Sequence, residues 1–392
     1  MANKPVIQSL LDTDLYKLSM MQVVLHHYPA AEVEYLFKCR TEGADLASLA
    51  TEIRDEISHL CQLRFTENEI HYLNKIYYLK SDFVQFLKLF RLNENYVRIG
   101  RDEEGQLEIK VVGPWLHTIL FEVPILAIVE EVYNRHFHAD VDLKVGQRRL
   151  MEKTRMIKEH PMGGQLKLME FGTRRRFGRR WQKQVLEHLN RSVPDNLVGT
   201  SNVYYAREIG LMPLGTMAHE YLQAFQALGP RLVDSQKAAL DVWAKEYRGD
   251  LGIALTDVVG IDAFLRDFDR YFAKLFDGVR HDSGCPFEWG NKVIEHYQKL
   301  GIDTRTKSLV FSDGLDIPLA FKILAEFGEK TNVVFGIGTN LTNDVGVKPL
   351  SIVMKMVKCN GQPVAKISDS PGKTMCKDEA YLTYLRNVFE LS

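Results

Sequence analysis

The sequence predicts an α/β protein, an irregular parallel β/α barrel with an α+β N-terminal domain. Between Leu166 and Thr342 one pattern recurs: a short apolar run that reads as a buried strand, a small cluster of Gly, Thr, Asp, Arg or His, then an amphipathic stretch suited to a helix. The first third of the chain lacks those polar strand ends and mixes helical with alternating patterns. With 392 residues, 45% of them hydrophobic and 26% charged, the chain can bury a barrel core and a second domain beside it.

In the N-terminal third, Asp12-Thr-Asp14 fits the N-cap of a helix that carries Leu15, Leu18, Met21 and Leu25 on one side and ends at Pro29. A strand-like run over residues 33–37 follows, then helical periodicity over 45–63 and 67–78. Residues 96–99 and 107–111 read as a hairpin around Asp102 to Gly105, and a helix over 115–137 leads toward the barrel. Residues 147–158 are helical before Pro161-Met-Gly-Gly164 punctuates the first barrel strand.

The barrel strands end in Glu170-Phe-Gly-Thr-Arg-Arg-Arg176, Gly199-Thr-Ser-Asn202, Gly215-Thr-Met-Ala-His219, Leu255-Thr-Asp257, Gly278-Val-Arg-His-Asp-Ser-Gly284, Phe311-Ser-Asp-Gly-Leu-Asp316 and Phe335-Gly-Ile-Gly-Thr339. In a parallel barrel such ends share one rim, which is therefore the predicted active site. The Gly215 run is too polar to read as a strand, so closure of the barrel is open at this point. Near the end, residues 352–357 and 364–367 flank Asn360-Gly361, a hairpin signal predicted to pack on the N-terminal domain. The division that results is 1–138 joined by 347–392, and a barrel over 139–346.

Lys+Arg 50 against Asp+Glu 51 gives a net charge of -1, which removes the bulk electrostatic reason to expect nucleic acid or an anionic membrane. The five cysteines are scattered and show no CxxC spacing, so reduced thiols in a cytoplasm are expected. The most apolar stretch, residues 118–132, is interrupted by Glu122, Pro124, Glu130 and Glu131, and no membrane span is expected.

Phe335-Gly-Ile-Gly-Thr339 suits a loop whose N–H groups approach a phosphate without a Cβ in the way, although glycines after a strand are more often plain turns. Gly372-Lys-Thr374 resembles a P-loop end but has Ile367 where the earlier glycine belongs. Among Arg174-Arg-Arg176 and Arg179-Arg180, guanidinium groups suit a diphosphate or carboxylate, and Arg174 and Arg176 are favoured over Arg175. His219 is one of 12 histidines, distinguished by its place after a predicted strand end, where a histidine can act as acid, base or nucleophile. Asp257, Asp282, Asp313 and Asp316 are rim carboxylates of the kind a Mg²⁺-phosphate substrate needs, and helix capping accounts for such residues equally well.

Together with Leu11-Asp-Thr-Asp-Leu-Tyr-Lys17, Pro213-Leu-Gly-Thr-Met-Ala-His-Glu220 and Lys366-Ile-Ser-Asp-Ser-Pro-Gly-Lys373, these segments resemble the nicotinate phosphoribosyltransferase family, type II phosphoribosyltransferases of NAD salvage. The resemblance implies transfer of phosphoribose from 5-phosphoribosyl-1-diphosphate (PRPP) to nicotinate with Mg²⁺, and coupling to ATP hydrolysis through a phosphohistidine. It implies that His219 is phosphorylated and that Asp257 orients its ring. Phe171 and Tyr16 would sandwich the pyridine, Arg280 helped by Thr216 would hold the carboxylate, and Gly338 and Thr339 would cradle the 5-phosphate. Arg174 and Asp282 would face the phosphoribosyl and diphosphate part. A homodimer with shared sites is implied, Tyr16 coming from the neighbouring subunit. Cys285 stands where the family commonly has a second aspartate. Ser201 stands where the nicotinamide enzyme has an aspartate, which favours the acid; nicotinamide or quinolinate transfer, or a silent sugar-phosphate-sensing barrel, are the alternatives.

Overall fold

Two kinds of strand pattern produce two sheets. The computed structural model describes residues 4–367 and 375–391. Alternating runs give β1 (Glu32–Cys39), β2 (Val97–Arg101) and β3 (Leu107–Pro114). Short apolar runs give β4 (Leu168–Glu170), β5 (Leu197–Thr200), β6 (Met212–Pro213), β7 (Ile253–Leu255), β8 (Gly278–His281), β9 (Ser308–Phe311) and β10 (Asn332–Ile337). Alternation then returns in β11 (Ile352–Cys359), followed by the short β12 (Gln362–Pro363).

The first sheet is antiparallel, in the order β12-β11-β1-β3-β2. Val33, Tyr35 and Phe37 of β1 are buried beside Ile109 and Val111 of β3 and Met354 and Met356 of β11, while the residues between them are more open. Period-two burial is what one covered face requires. The β2–β3 hairpin turns at Asp102, whose Oδ1 accepts from the N–H groups of Glu104 and Gln106, and Gly105 takes φ 77°.

The second sheet is parallel and curled, in the order β6-β5-β4-β10-β9-β8-β7. Strands covered on both faces need no alternation, which is why the apolar runs read as continuous. Return of β10 to the side of β4, with Ile337 opposite Glu170, brings both halves of the chain's polar strand ends to one rim. The fold class predicted from the sequence is the one observed.

Several elements differ from their sequence reading. Helix Leu15–His27 is buried from Leu15 through Val24 instead of on one side, because it lies between the barrel and other helices. Asp14 occupies its N-cap position without making a capping bond, since its Oδ1 takes the Ser201 hydroxyl instead. The helix expected over 115–137 is two, Trp115–Thr118 and Glu122–Phe137. A helix at Ser81–Leu89 was not read, although Ser81-Asp82 before an apolar run is an N-cap signal; Lys80 takes the cap position without a side-chain bond. In the C-terminal hairpin β11 pairs with β1, but the second arm is only β12, whose pairing ends with Val364 N–H donating to Val357 O, and Ala365 to Ile367 leave the sheet.

The barrel does not close by strand pairing. β6 and β7 are the sheet's edges, and the Thr216 hydroxyl crosses the gap to the Ile253 carbonyl at 2.7 Å. Helix Leu15–His27 enters there: Leu15 N–H donates to Ser201 O at 2.8 Å, Ser19 Oγ donates to Thr216 O at 2.6 Å, and Tyr247 OH donates to Ser19 O at 2.6 Å.

Candidate active site

The rim encloses a cavity of about 420 Å³ whose wall includes Tyr16, Phe171, Arg174, Ser201, His219, Arg280, Asp282, Asp313, Gly338 and Thr339. Residues from every polar strand end except that of β7 thus meet at one place. From β7, Asp257 lies buried directly behind His219.

Two glycines let the aromatic residues in. A Cβ on Gly336 would stand 2.4 Å from Cδ2 of Phe171, so that ring lies against bare backbone. Gly215, at φ 140°, brings its backbone to the N-terminal helix, where a Cβ would meet the Tyr16 nitrogen at 3.2 Å. Tyr16 is 7% exposed and its hydroxyl is buried without a hydrogen-bond partner.

His219 begins helix His219–Leu228. Its Nε2 is 2.9 Å from Asp257 Oδ1, 3.3 Å from Asp282 Oδ2 and 2.8 Å from Lys366 Nζ. Burial, then the Lys366 ammonium, holds the imidazole below its ordinary pKa against the pull of Asp257. Burial alone would raise Asp257, but His219 and Lys366 hold it well below the usual carboxylate range. The Asp282 carboxyl is likewise pushed up by burial and brought below its ordinary value by Arg280 and His219.

Arg280 stands on β8 between β7 and β9, opposite Leu255 and Val310, so its backbone is fixed on both sides. Among the described residues its buried Nε has no hydrogen-bond partner. Arg174, nearly half exposed, contacts Glu122 at 3.4 Å and otherwise faces the cavity.

Three expectations are corrected, and for Asp316 one of two open readings is decided. Arg176 is not on the cavity wall: it is fully buried, with Nη1 and Nη2 donating to the two oxygens of Asp12 at 2.7 and 2.9 Å and Nη1 also to Gln182, which commits it to holding the N-terminal segment. Arg175, ranked below it, lines the cavity instead. Thr216 gives its hydroxyl proton to Ile253, and it is absent from the wall, so it does not donate to a substrate carboxylate beside Arg280. Asp316 caps helix Ile317–Phe327 by accepting the Leu319 N–H. Finally, Tyr16 reaches the cavity of its own chain, because residues 11–19 are hydrogen-bonded into their own barrel; no neighbouring subunit is needed to bring it.

The sequence reading also missed residues. Asp14 lines the wall behind Ser201, whose hydroxyl donates to it at 2.7 Å, so a carboxylate does stand near the ring site. Burial raises its pKa against the opposing effect of Arg174. Lys17, wholly buried, bridges Glu122 and Glu220 at 2.6 Å each. Burial and the Glu122 charge push Glu220 up even with Lys17 beside it. Asp14, Lys17, Glu220 and Lys366 all fall within motifs already singled out, which was the available signal. Arg40 and Lys355 reach the wall from the antiparallel sheet and had none. Residues 368–374, which include the rest of the Lys366 motif and Gly372-Lys-Thr374, lie outside the described residues.

Comparison with known proteins gives the following. The nicotinate phosphoribosyltransferase (NAPRTase) family matches residues 166–392, and the family's N-terminal domain matches residues 11–130. The chain is 59% identical over 389 residues to the nicotinate phosphoribosyltransferase of Burkholderia mallei, covering 99% of this chain and 98% of that one. It is 58% identical to that of Bordetella petrii, covering 98% and 99%. Among solved structures, the Vibrio cholerae nicotinate phosphoribosyltransferase superposes with a TM-score of 0.95 at 44% identity, covering 99% of this chain and 94% of that one. The Porphyromonas gingivalis one superposes at 0.93 with 33% identity, covering 98% and 100%. Among the described residues no helix is long and apolar enough to cross a membrane.

Proposed function

The chain belongs to the nicotinate phosphoribosyltransferase family, and from that premise we propose that it transfers phosphoribose from PRPP to nicotinate and couples the transfer to ATP hydrolysis through a phosphorylated His219. One observation carries the reading. A single cavity holds aromatic residues and an unspent guanidinium, Arg280, together with a histidine backed by a buried carboxylate.

The pyridine nitrogen of nicotinate already has a lone pair at neutral pH, so no residue need act as a base toward it. It attacks C1 of the ribose; the N–C bond forms as the C1–O bond breaks, and diphosphate leaves with the electron pair. The barrier lies in charge developing on the ribose and the leaving group, so positioning and fixed charges do most of the work. Tyr16 and Phe171 stack the ring, and Arg280 takes the carboxylate. Gly338 and Thr339 open a helical turn at Thr339–Thr342, whose leading N–H groups lack partners within the turn and suit the 5-phosphate. Arg174, with Arg175, faces the diphosphate side.

Mg²⁺ arriving with PRPP would neutralise diphosphate charge as the C1–O bond breaks. Asp313 on the wall is the residue that would hold it. The His219, Asp257 and Asp282 atoms also lie within 4.8 Å of one another, but the Lys366 ammonium already sits against them and meets that charge.

In the ATP step a ring nitrogen of His219 attacks the γ-phosphorus, the P–O bond to ADP breaks, and water later cleaves the P–N bond. The added dianion beside the PRPP site would rearrange the arginines before transfer. The reading places the enzyme in the cytoplasm, where ATP, PRPP and reduced cysteines coexist. Association into a homodimer is compatible with it, each chain keeping its own site.

The test is formation of nicotinate mononucleotide from nicotinate, PRPP and Mg²⁺, with and without ATP, in wild type and His219→Ala. Wild type should be stimulated by ATP and take up acid-labile phosphate. His219→Ala should keep its fold and show neither effect. Acid-labile phosphate persisting in the variant would move the modification to another residue.

A further inference from the structure

We propose that Lys366 is a positioning residue for the phosphohistidine step, setting the protonation state of His219 and then serving as counter-ion to its phosphoryl group. The inference rests on the reading of His219 as the phosphorylated residue and extends it to a side chain that reading does not use.

Lys366 is placed with care by the backbone on either side of it. Ala365 exchanges two 2.8 Å hydrogen bonds with the Gln226 side chain on helix His219–Leu228, and Ile367 N–H donates to Val258 O at 2.7 Å, one residue beyond Asp257. These clamps thread the chain between the helix that begins with His219 and the loop that carries Asp257. They explain why residues 365–367 leave the sheet that the hairpin pattern predicts for them. Lys366 is 7% exposed, and among the described residues its ammonium contacts Asp257 Oδ2 at 2.5 Å and His219 Nε2 at 2.8 Å.

The geometry at Nε2 is informative because one nitrogen cannot donate to Asp257 Oδ1 at 2.9 Å and accept from Lys366 at 2.8 Å at the same moment. An imidazolium would carry its Nε2 proton against an ammonium. Among the described residues, the groups facing the ring are Asp257 after β7, Asp282 after β8 with Arg280 beside it, and Lys366 from the C-terminal segment. The two carboxylates favour the imidazolium, and the lysine opposes them at the shortest of the three distances. Burial acts in the same direction as the lysine. The ring is thereby kept neutral; in the tautomer whose Nε2–H donates to Asp257 Oδ1, with Lys366 donating to Asp257 Oδ2, the lone pair that attack on the γ-phosphorus needs is on Nδ1. When the P–N bond forms and ADP leaves with the P–O electrons, the ring gains a dianion, and Lys366 is a buried cation already in place for it. The same cation stabilises the carboxylate that orients the ring, so one side chain serves before and after the transfer.

The experiment measures acid-labile label taken from γ-labelled ATP by the full-length protein as a function of pH, without nicotinate or PRPP, in wild type, Lys366→Met and Lys366→Arg. Removing the charge while keeping the burial should move the acid limb of labelling up by about one pH unit and cut labelling near neutrality several-fold, whereas Lys366→Arg should keep the wild-type limb. A purely structural lysine would lower the yield without moving the limb, and that result in a folded Lys366→Met overturns the proposal. Wild type that takes up no label at any pH removes the phosphohistidine reading itself, and this inference with it. Should Lys366→Met fail to fold, titration of the His219 ring by NMR in wild type decides: protonation below the ordinary histidine range of about 6.5 is expected, and protonation at or above it refutes the role.

Discussion

Replacing Arg280 with alanine should weaken nicotinate selectively. The guanidinium projects from a strand paired on both sides, so the loss is of a preorganised group and no loop can refill its place. Its buried Nε has no partner, which leaves donors for a ligand, and Asp282 is the acidic neighbour that would be left without it. Truncating one member of a hydrogen-bonded, desolvated charge pair costs about 2–5 kcal/mol. Arg280 is half-buried at an open cavity, so water recovers part of that, and the lower half of the range applies. A cost of about 2–3 kcal/mol corresponds to a rise of roughly 30- to 150-fold in the nicotinate KM. The assay is the initial rate of nicotinate mononucleotide formation with PRPP and ATP saturating, repeated with PRPP varied. Arg280→Lys should fall between wild type and alanine, since it keeps the charge but not the planar fork. A nicotinate KM within about threefold of wild type, with the PRPP KM raised instead, would place Arg280 on the diphosphate and refute the carboxylate assignment.

Because Tyr16 lines the cavity of its own chain, co-expressing Tyr16→Ala with Arg280→Ala and purifying the mixed species should give no activity beyond the mean of the two parents; recovery toward half of wild type would restore a shared site. Glu130 supplies a pH prediction away from the cavity. Burial pushes its carboxyl from 4.5 to about 7, and its Oε2 has no partner, so between those values the folded chain holds a proton that the unfolded chain has released. Stability should therefore fall as pH rises through that window, and Glu130→Gln should make the fall in melting temperature between about pH 5 and pH 7 shallower, the rest coming from Glu170 and Glu220, whose carboxyls are also pushed up to about 7. A wild-type melting temperature that rises relative to the variant across the same range would show that Glu130 is ionised in the fold.

The barrel was legible because buried parallel strands have continuous apolar sequences and end abruptly in polar residues. What could not be read was the direction in which neighbouring side chains point. Arg174, Arg175 and Arg176 are adjacent, yet the first two line the cavity and the third is buried. The turn at Thr173–Arg175 fans them apart, and Arg176 finds Asp12, a partner 164 residues earlier. Charge density along the chain marks such a run without ranking its members. Lys366 illustrates the same limit. Its motif was visible, but the hairpin signal at Asn360-Gly361 placed it on a strand, and only the bonds to Gln226 and Val258 turn it toward His219. Thr216 was misread for a related reason: a hydroxyl near a predicted strand end looks available until the missing β6–β7 pairing claims it.

That missing pairing also connects the irregular fold with the chemistry. A closed barrel would satisfy the edges of β6 and β7 with each other and leave no entrance for another element. Here the gap is spanned by one threonine hydroxyl, and the N-terminal segment fills the rest. Asp12 anchors it through Arg176, Asp14 through Ser201, Lys17 through Glu220 and Ser19 through the Thr216 carbonyl. Ionic anchors of this kind stabilise little once desolvation is counted, but removing one partner leaves a buried charge alone, which penalises any other placement of the segment. The anchors lie on both sides of Tyr16 in sequence and fix the backbone that presents its ring to the cavity wall. The helix is buried on all sides for the same reason, which is why a one-sided apolar stripe was the wrong pattern to seek. An aromatic side of the cavity is thus obtained from the N-terminal segment because the barrel is left open.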